Sequence, residues 1–183
     1  MNKVYVFLAD GFEEIEGLTV VDLLRRANIS TEMVSVTEKK QVMGSHGIEV
    51  TADSLFEECE YEGAAALVLP GGMPGTLNLG NHEGLCELLK KQYEEEKMIA
   101  AICAAPSVFG QLGLLEGRVA TCYPGFEEKL NGAIVCSTKV AVDGHVITSK
   151  GLGTAIDFSL KLIELLADKE TADKIGAGII YYV

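Results

Sequence analysis

Runs of consecutive apolar residues recur along the chain, separated by stretches in which apolar positions are three and four residues apart. Three runs, at residues 4–9, 64–69 and 98–102, contain almost no polar side chains. This is typical of strands that helices cover on both faces of a parallel sheet. A fourth run, at residues 31–36, alternates apolar with polar residues and predicts a half-exposed strand.

The stretches between and after these runs predict amphipathic helices. The helices are expected at residues 18–28, 82–96, 104–112 and 155–166. Strands that alternate with helices fold into a doubly wound, mostly parallel sheet with helices on both faces and right-handed crossovers. With 183 residues and no linker or repeat, the chain is expected to form one α/β domain over residues 1–183.

Shorter patterns fill the rest of the chain. Residues 41–50 predict a small strand pair with its bend at 44–47. Asp143-Gly144 is typical of a type I′ hairpin turn inside a strand region at 140–148. The remaining predictions are strands at 117–121 and 133–137, a brief helix at 126–130 and an apolar terminal segment at 175–183.

Charge and cysteine content exclude several classes of function. The net charge of −12 repels nucleic acid and anionic membranes at long range, so neither is expected as a partner. Five cysteines at irregular spacings, without a CxxC motif, argue against a disulfide framework and a zinc site. The apolar run before Asp10 is too short for a signal peptide or a membrane span, which predicts a cytoplasmic protein.

Cys103 lies where the buried run 98–102 meets the small apolar stretch 104–112. A sharp strand-to-helix turn forces its junction residue into a strained conformation and exposes that side chain above the sheet. The nearby helix start is expected to favour a thiolate. Cys103 is therefore a candidate nucleophile, although an unreactive buried cysteine is the alternative.

Two other strand ends are expected to meet Cys103, because the carboxyl ends of parallel strands share one edge of the sheet. Glu16 lies inside the apolar helix that follows the first strand, and Gly71-Gly72 follows the run 64–69. A protonated Glu16 would donate a hydrogen bond to the thiolate and shuttle protons. The backbone N–H groups of Gly72 and Ala104 would supply an oxyanion hole, with Gly71 in the pocket.

Four motifs, GFEEIE, LPGGMPG, AAICAAP and SKGLGTAIDF, occur in this order along the chain. In order and spacing they resemble the ThiJ/PfpI superfamily, specifically its DJ-one branch of deglycase and glyoxalase III-like proteins. The resemblance implies a flavodoxin-like sandwich, a homodimer, a reactive and easily oxidised Cys103, and Glu16 as its partner. Activities of relatives include cofactor-free conversion of methylglyoxal to lactate, protein deglycation and redox-sensitive chaperoning.

The chain departs from related branches at identifiable positions. The protease-like branch has histidine directly after the cysteine, where this chain has Ala104. Class I glutamine amidotransferases use a His-x-Glu motif, and none of the three histidines has glutamate two residues on. Neither a protease nor a glutamine amidotransferase is therefore expected.

Three further residues have two interpretations each. Tyr123 stands where many DJ-one relatives have a histidine, and is either a hydrogen-bond donor or wall of the pocket or simply a packed aromatic. His46 aligns with a basic residue that in relatives approaches the cysteine from the dimer partner, but a histidine in a bend is usually just solvated. Cys122 is a core residue or a second redox thiol, with the core favoured. Cys59, Cys86 and Cys136 suggest no constellation.

The leading hypothesis is an enzyme in which Cys103 adds to a small α-oxoaldehyde, or acts on a glycated substrate, and Glu16 moves the protons. No metal or organic cofactor is expected. The alternative is a redox sensor or chaperone that is controlled by oxidation of Cys103. A binding module that docks a partner on the dimer is a third, weaker interpretation.

Overall fold

The computed structural model describes residues 3–181, which form six α-helices and eleven β-strands. The strands are β1 (Val4–Leu8), β2 (Thr31–Ser35), β3 (Gln41–Met43), β4 (Glu49–Thr51), β5 (Ser54–Leu55), β6 (Ala66–Leu69), β7 (Met98–Ile102), β8 (Val119–Ala120), β9 (Ile134–Val135), β10 (Val140–Asp143) and β11 (Val146–Ser149). The helices are α1 (Glu14–Arg26), α2 (Gly75–Asn81), α3 (Glu83–Glu94), α4 (Pro106–Gln111), α5 (Ala155–Leu166) and α6 (Lys169–Gly178).

A seven-stranded sheet forms the centre, in the order β10-β11-β7-β6-β1-β2-β5. Every pair of neighbours is parallel except β10 and β11, which form the antiparallel hairpin predicted at Asp143-Gly144. Two small sheets lie outside it: the antiparallel pair β3–β4, also predicted, and the parallel pair β8–β9. The predicted mostly parallel α/β sandwich is confirmed.

Alternate residues of the central strands belong to separate cores on the two faces of the sheet. On β1, Val4 and Val6 pack with residues of α1 and α5, whereas Tyr5 and Phe7 pack with residues of α2, α3 and α4. All five β1 residues are buried. This two-sided burial is the reason that the central strands are continuous apolar runs.

Three features differ from the sequence-based predictions. Residues 75–81 form α2, although Pro74, Gly75 and Gly80 made a helix unattractive; buried Leu79 packs there against the core shared with α3 and α4. The region 175–183 is not one apolar segment, since α6 continues to Gly178, and residues 182 and 183 lie outside the described part. The predicted strands at 117–121 and 133–137 shorten to the two-residue strands β8 and β9.

Within residues 3–181, none of the helices has the length and hydropathy needed to cross a bilayer.

Candidate functional site

Cys103 occupies a strained turn directly after β7. Its φ of +66° lies in the left-handed region that non-glycine residues rarely adopt. The turn is fixed on both sides, because the Cys103 N–H donates to the Ser149 carbonyl at 3.0 Å and the Cys103 carbonyl accepts from the Tyr123 N–H at 2.8 Å. The geometry is that of the predicted strand-to-helix elbow, and α4 begins three residues later at Pro106.

Glu16 is almost completely buried, with 1% of its surface exposed, in the first turn of α1. Its Oε2 accepts a hydrogen bond from the Gly71 N–H at 2.9 Å. The Cys103 thiol and the Leu152 N–H lie close enough to this carboxyl to favour its ionised form. The helix after β1, the loop after β6 and the elbow after β7 therefore meet at one edge of the sheet, where the sequence placed them.

The two glycines after β6 leave no room for side chains. A Cβ on Gly71 would lie 2.6 Å from the Cys103 Cβ and 2.8 Å from Glu16 Oε2. Gly72 has a φ of +91°, and a Cβ there would run into the backbone of Gly11 and Glu13. Glycine at position 71 lets this loop approach Cys103 and Glu16, and glycine at position 72 lets it pack against the backbone of residues 11–13.

The protonation of the site is set by burial, by backbone N–H donors and by the charge of Glu16. Burial raises the pKa of Glu16 to about 7, although the Gly71 N–H hydrogen bond opposes this. Burial and then the Glu16 carboxylate raise the pKa of Cys103 to about 12, against hydrogen bonds from the Ala104 and Gly72 N–H groups. The backbone N–H groups therefore favour the thiolate as expected, but burial and the Glu16 carboxylate outweigh them.

Glu16 and Cys103 consequently act as a coupled pair near neutral pH. An ionised Glu16 keeps the neighbouring sulfur protonated, whereas a protonated Glu16 no longer repels a thiolate and can donate a hydrogen bond to it. The sulfur carries a proton that the adjacent carboxylate can accept when the sulfur attacks an electrophile. Glu16 is thus placed to act as the base for Cys103.

The buried Glu16 charge should make stability depend on pH. Folding raises the pKa of Glu16 from 4.5 to about 7, so its protonation stabilises the fold fully below pH 4.5, and this contribution is lost as the pH rises through 7. Glu16→Gln removes the cost of burying the charge. We expect the difference in free energy of unfolding, Glu16→Gln minus wild type, to increase by about 3 kcal/mol as the pH rises from 4.5 to 7.

Chemical denaturation at a series of pH values measures this difference, with the exposed Glu57→Gln as the matched control. A difference between Glu16→Gln and wild type that is the same at pH 4 and pH 8 would contradict a buried, titrating Glu16.

Tyr123 and Gly151 form a wall beside Glu16. A Cβ on Gly151 would lie 3.2 Å from Tyr123 Cδ2 and 3.8 Å from Glu16 Oε1. The Tyr123 side of this wall faces outward, since about half of the residue is exposed. Gly151 and Leu152 were missed as site residues, although they belong to the SKGLGTAIDF motif that carries part of the family resemblance.

His46 does not reach Cys103 within the described chain and instead binds Glu14. Its backbone N–H donates to Glu14 Oε1 at 2.8 Å, and its Nδ1 lies 3.0 Å from Glu14 Oε2. Although burial opposes it, the hydrogen bonds from His46 and backbone N–H groups lower the pKa of Glu14 to about 2. A buried, ionised Glu14 thus clamps the bend between β3 and β4 onto the start of α1.

Glu13, Glu14 and His46 are also the only described His, Cys, Asp and Glu residues grouped closely enough to ligate a metal, with ligand atoms within 4.8 Å of one another. Both Glu14 oxygens already accept hydrogen bonds from residues of the bend. The clamp explains this cluster without a metal ion.

Comparison with known proteins places the chain in a family. The family model described as the DJ-1/PfpI family matches residues 2–165, which is most of the chain. This chain belongs to the DJ-1/PfpI family. The family resemblance seen in the four sequence motifs is thereby confirmed.

Individual DJ-1/PfpI relatives match over nearly the whole chain. Protein DJ-1 homolog B of Arabidopsis thaliana is 39% identical over 98% of this chain, which spans 41% of the plant protein. A deglycase of Pyrococcus abyssi is 32% identical over 90% of this chain and 99% of its own. The sequence of Toxoplasma gondii DJ-1, whose oxidised structure is known, is 38% identical to this chain. The two structures superimpose over 100% of both chains with a TM-score of 0.96.

Proposed function

We propose that this protein is a cofactor-independent enzyme that acts on small α-oxoaldehydes or their adducts, in the manner of glyoxalase III and deglycases. The observation that carries the proposal is the position of Glu16 beside a strained, half-buried Cys103, with both side chains packed against Gly71, and a Glu16 pKa of about 7 that suits it to accept and return protons at neutral pH. Similarity to the Pyrococcus abyssi deglycase supports the same class of substrate.

The first step is addition of the Cys103 sulfur to the aldehyde carbon of methylglyoxal. The thiol proton passes to Glu16, and the carbonyl oxygen becomes an alkoxide, which the Gly72 and Ala104 N–H groups are close enough to stabilise. Protonation of that oxygen gives a hemithioacetal.

Rearrangement then needs one base that works twice. Glu16 removes the hydrogen of the former aldehyde carbon as a proton, which gives an enediolate, and returns that proton to the neighbouring carbon. The proton of the first hydroxyl passes to the second oxygen, and the product is a thioester of lactate. Water attacks the thioester carbonyl, releases lactate and restores the Cys103 thiol. The net reaction adds one water to methylglyoxal, so no external oxidant or reductant is consumed.

The test is to incubate the purified protein with methylglyoxal in the absence of glutathione and to follow lactate by proton NMR. Catalytic formation of lactate would support the proposal. Stoichiometric modification of Cys103 without turnover would contradict it. A protease or glutamine amidotransferase activity is not proposed, since Ala104 follows the nucleophile where the protease-like branch has histidine.

A redox function is the second candidate, favoured by the close match to an oxidised Toxoplasma gondii protein. The N–H groups of Gly72 and Ala104 that hydrogen-bond the sulfur would also bind the oxygens of a Cys103 sulfinate. In a client aggregation assay, a redox chaperone should lose its protection in Cys103→Ala. Unchanged protection by that variant would contradict this function.

We also propose that the protein is a cytoplasmic homodimer. Five free cysteines suit a reducing compartment.

Exposed Ile15, Met43 and Ile48 lie around the Glu14 clamp, and a second copy that covers them would also bring His46 to the interface. Light scattering should give twice the 19.6 kDa chain mass, and Ile48→Glu should halve it. Wild-type protein that is monomeric at micromolar concentration would exclude the dimer.

A further inference from the structure

The segment at the end of β11 reaches both members of the Cys103–Glu16 pair. At its start, the Ser149 carbonyl accepts the Cys103 N–H at 3.0 Å. Three residues later, the Leu152 N–H lies close enough to the Glu16 carboxyl to favour its ionised form. The position of this segment therefore bears on the nucleophile and on its base.

Side-chain packing contributes little to holding the Leu152 N–H in place. Leu152 is 51% exposed, so about half of this residue has no contact with the rest of the fold. Gly153 has no side chain to pack, and a Cβ there would meet no other atom within 4 Å. Other interactions must therefore fix the backbone that carries this N–H group.

The hydroxyl of Thr154 supplies such interactions. Its Oγ1 accepts a hydrogen bond from the Gly151 N–H at 3.1 Å and lies 2.9 Å from the Gly151 carbonyl oxygen. The Thr154 N–H donates to that same carbonyl at 2.8 Å. The hydroxyl of buried Ser149 lies 2.7 Å from Thr154 Oγ1 and also donates to the Lys139 carbonyl at 2.8 Å. Both polar groups of the Gly151 backbone are thus bonded to Thr154, which is itself held by the last residue of β11.

We propose that Thr154 is a positioning residue for Glu16. Its hydroxyl holds the Gly151 backbone, so that the next N–H group, that of Leu152, faces the Glu16 carboxylate and stabilises its charge. The Gly71 N–H, at 2.9 Å from Oε2, stabilises the same carboxylate from the loop after β6. The inference rests on the proposed function in one respect, namely that Glu16 is the base of the reaction.

Other ionisable groups also act on Glu16 and stay in place when Thr154 is replaced. The Cys103 thiol lies beside the carboxyl on the elbow after β7, and the charge of Glu13 reaches it from just before α1. Tyr123 borders the carboxyl from the opposite wall of the pocket. A Thr154 variant leaves these three side chains unchanged, so a difference from wild type reports on the backbone of the segment.

Thr154→Val keeps the shape of the side chain and removes its hydroxyl. The Gly151 N–H then has no acceptor, and the Leu152 N–H is no longer held towards the carboxylate. Burial already raises the pKa of Glu16 to about 7. Loss of a donor that favours the charged form should raise this pKa further, to about 8. Thr154→Ala, which places no methyl group where the hydroxyl was, should have the same effect.

Carbon NMR of protein labelled at the glutamate carboxyl carbon measures the pKa of Glu16 without any turnover, and Glu16→Gln identifies its signal. Thr154→Ser keeps the hydroxyl and should keep the wild-type pKa. Ser159→Ala is the matched control, because it removes a buried hydroxyl that donates to the Ala155 carbonyl within α5, and it should also keep the wild-type pKa. A wild-type pKa in Thr154→Val and Thr154→Ala, or an equal rise in Ser159→Ala, would overturn the proposal.

The pH profile of lactate formation separates positioning from general damage to the site. Because ionised Glu16 is the base of the proposed reaction, kcat/KM of Thr154→Val should be about five-fold below wild type at pH 7 and close to it at pH 9. The Cys103 pKa of about 12 keeps the thiol protonated at both pH values. A loss of the same factor at both would contradict the positioning role. Absence of lactate with wild-type protein would reject the proposed function, and the NMR measurement would still decide the role of Thr154.

Discussion

Replacement of Cys103 by serine is expected to lower kcat/KM for methylglyoxal on the order of 10³-fold or more, and to leave no lactate formation above background. A serine hydroxyl in the same buried turn gives up its proton far less readily than a thiol and forms no thioester for water to cleave. The substitution exchanges the sulfur for an oxygen and leaves the backbone hydrogen bonds of the turn to Ser149 and Tyr123 in place. Proton NMR of lactate at saturating and at low methylglyoxal concentration measures the effect.

Cys86→Ser is the matched control for this result. Cys86 is also a partly exposed free cysteine, but its sulfur lies 3.3 Å from the Gly80 carbonyl, between α2 and α3. It should retain the wild-type rate. Lactate production that survives in Cys103→Ser would mean that Cys103 is not the nucleophile, and the enzyme proposal would fail.

Glu16→Gln is expected to slow turnover and, at the same time, to make the Cys103 thiol more reactive towards alkylation. Turnover should fall by roughly 10²- to 10⁴-fold, because the amide cannot accept and return the protons of the rearrangement. Alkylation of Cys103 by iodoacetamide should become faster between pH 7 and 9. Burial raises the pKa of Cys103, and the Glu16 carboxylate raises it further. Removal of the carboxylate leaves burial opposed by the Ala104 and Gly72 N–H groups, so the pKa falls towards its ordinary value.

The two rates are measured on the same protein preparations, with the exposed Glu57→Gln expected to match wild type in both. A slower alkylation in Glu16→Gln would show that Glu16 supports the thiolate as a hydrogen-bond donor, as the sequence suggested, and that its carboxylate does not hold the proton on sulfur. Full turnover in Glu16→Gln would remove Glu16 from the mechanism.

The central strands and the site could be predicted because both rest on strong local signals. The buried runs that became β1, β6 and β7 are apolar on both faces, and only a covered parallel sheet accommodates them. Parallel strands share their carboxyl edge, so Glu16, Gly71 and Cys103 were brought together by topology alone. Gly151 beside Glu16 was not assigned, because it follows β11, which is far from Glu16 in the sequence, and only the order of the strands in the sheet brings the two together.

Weak local signals account for the missed elements. Residues 75–81 have little helix propensity of their own and become α2 because buried Leu79 and Thr76 pack into the fold. The pairing of β8 with β9 joins segments separated by a turn region, and neither strand is long enough to show a period in sequence.

The sequence by itself determined the fold class, the family motifs and the candidate pair Cys103 and Glu16, because apolar periodicity, glycine placement and the strand-to-helix junction are properties of short segments. Only the tertiary structure decided the proton distribution of the site. Burial raises the pKa of both groups of the pair, which no local pattern encodes, since desolvation depends on the atoms that other segments place around a charge. The Glu14–His46 clamp was decided in the same way, by a contact between residues 32 positions apart.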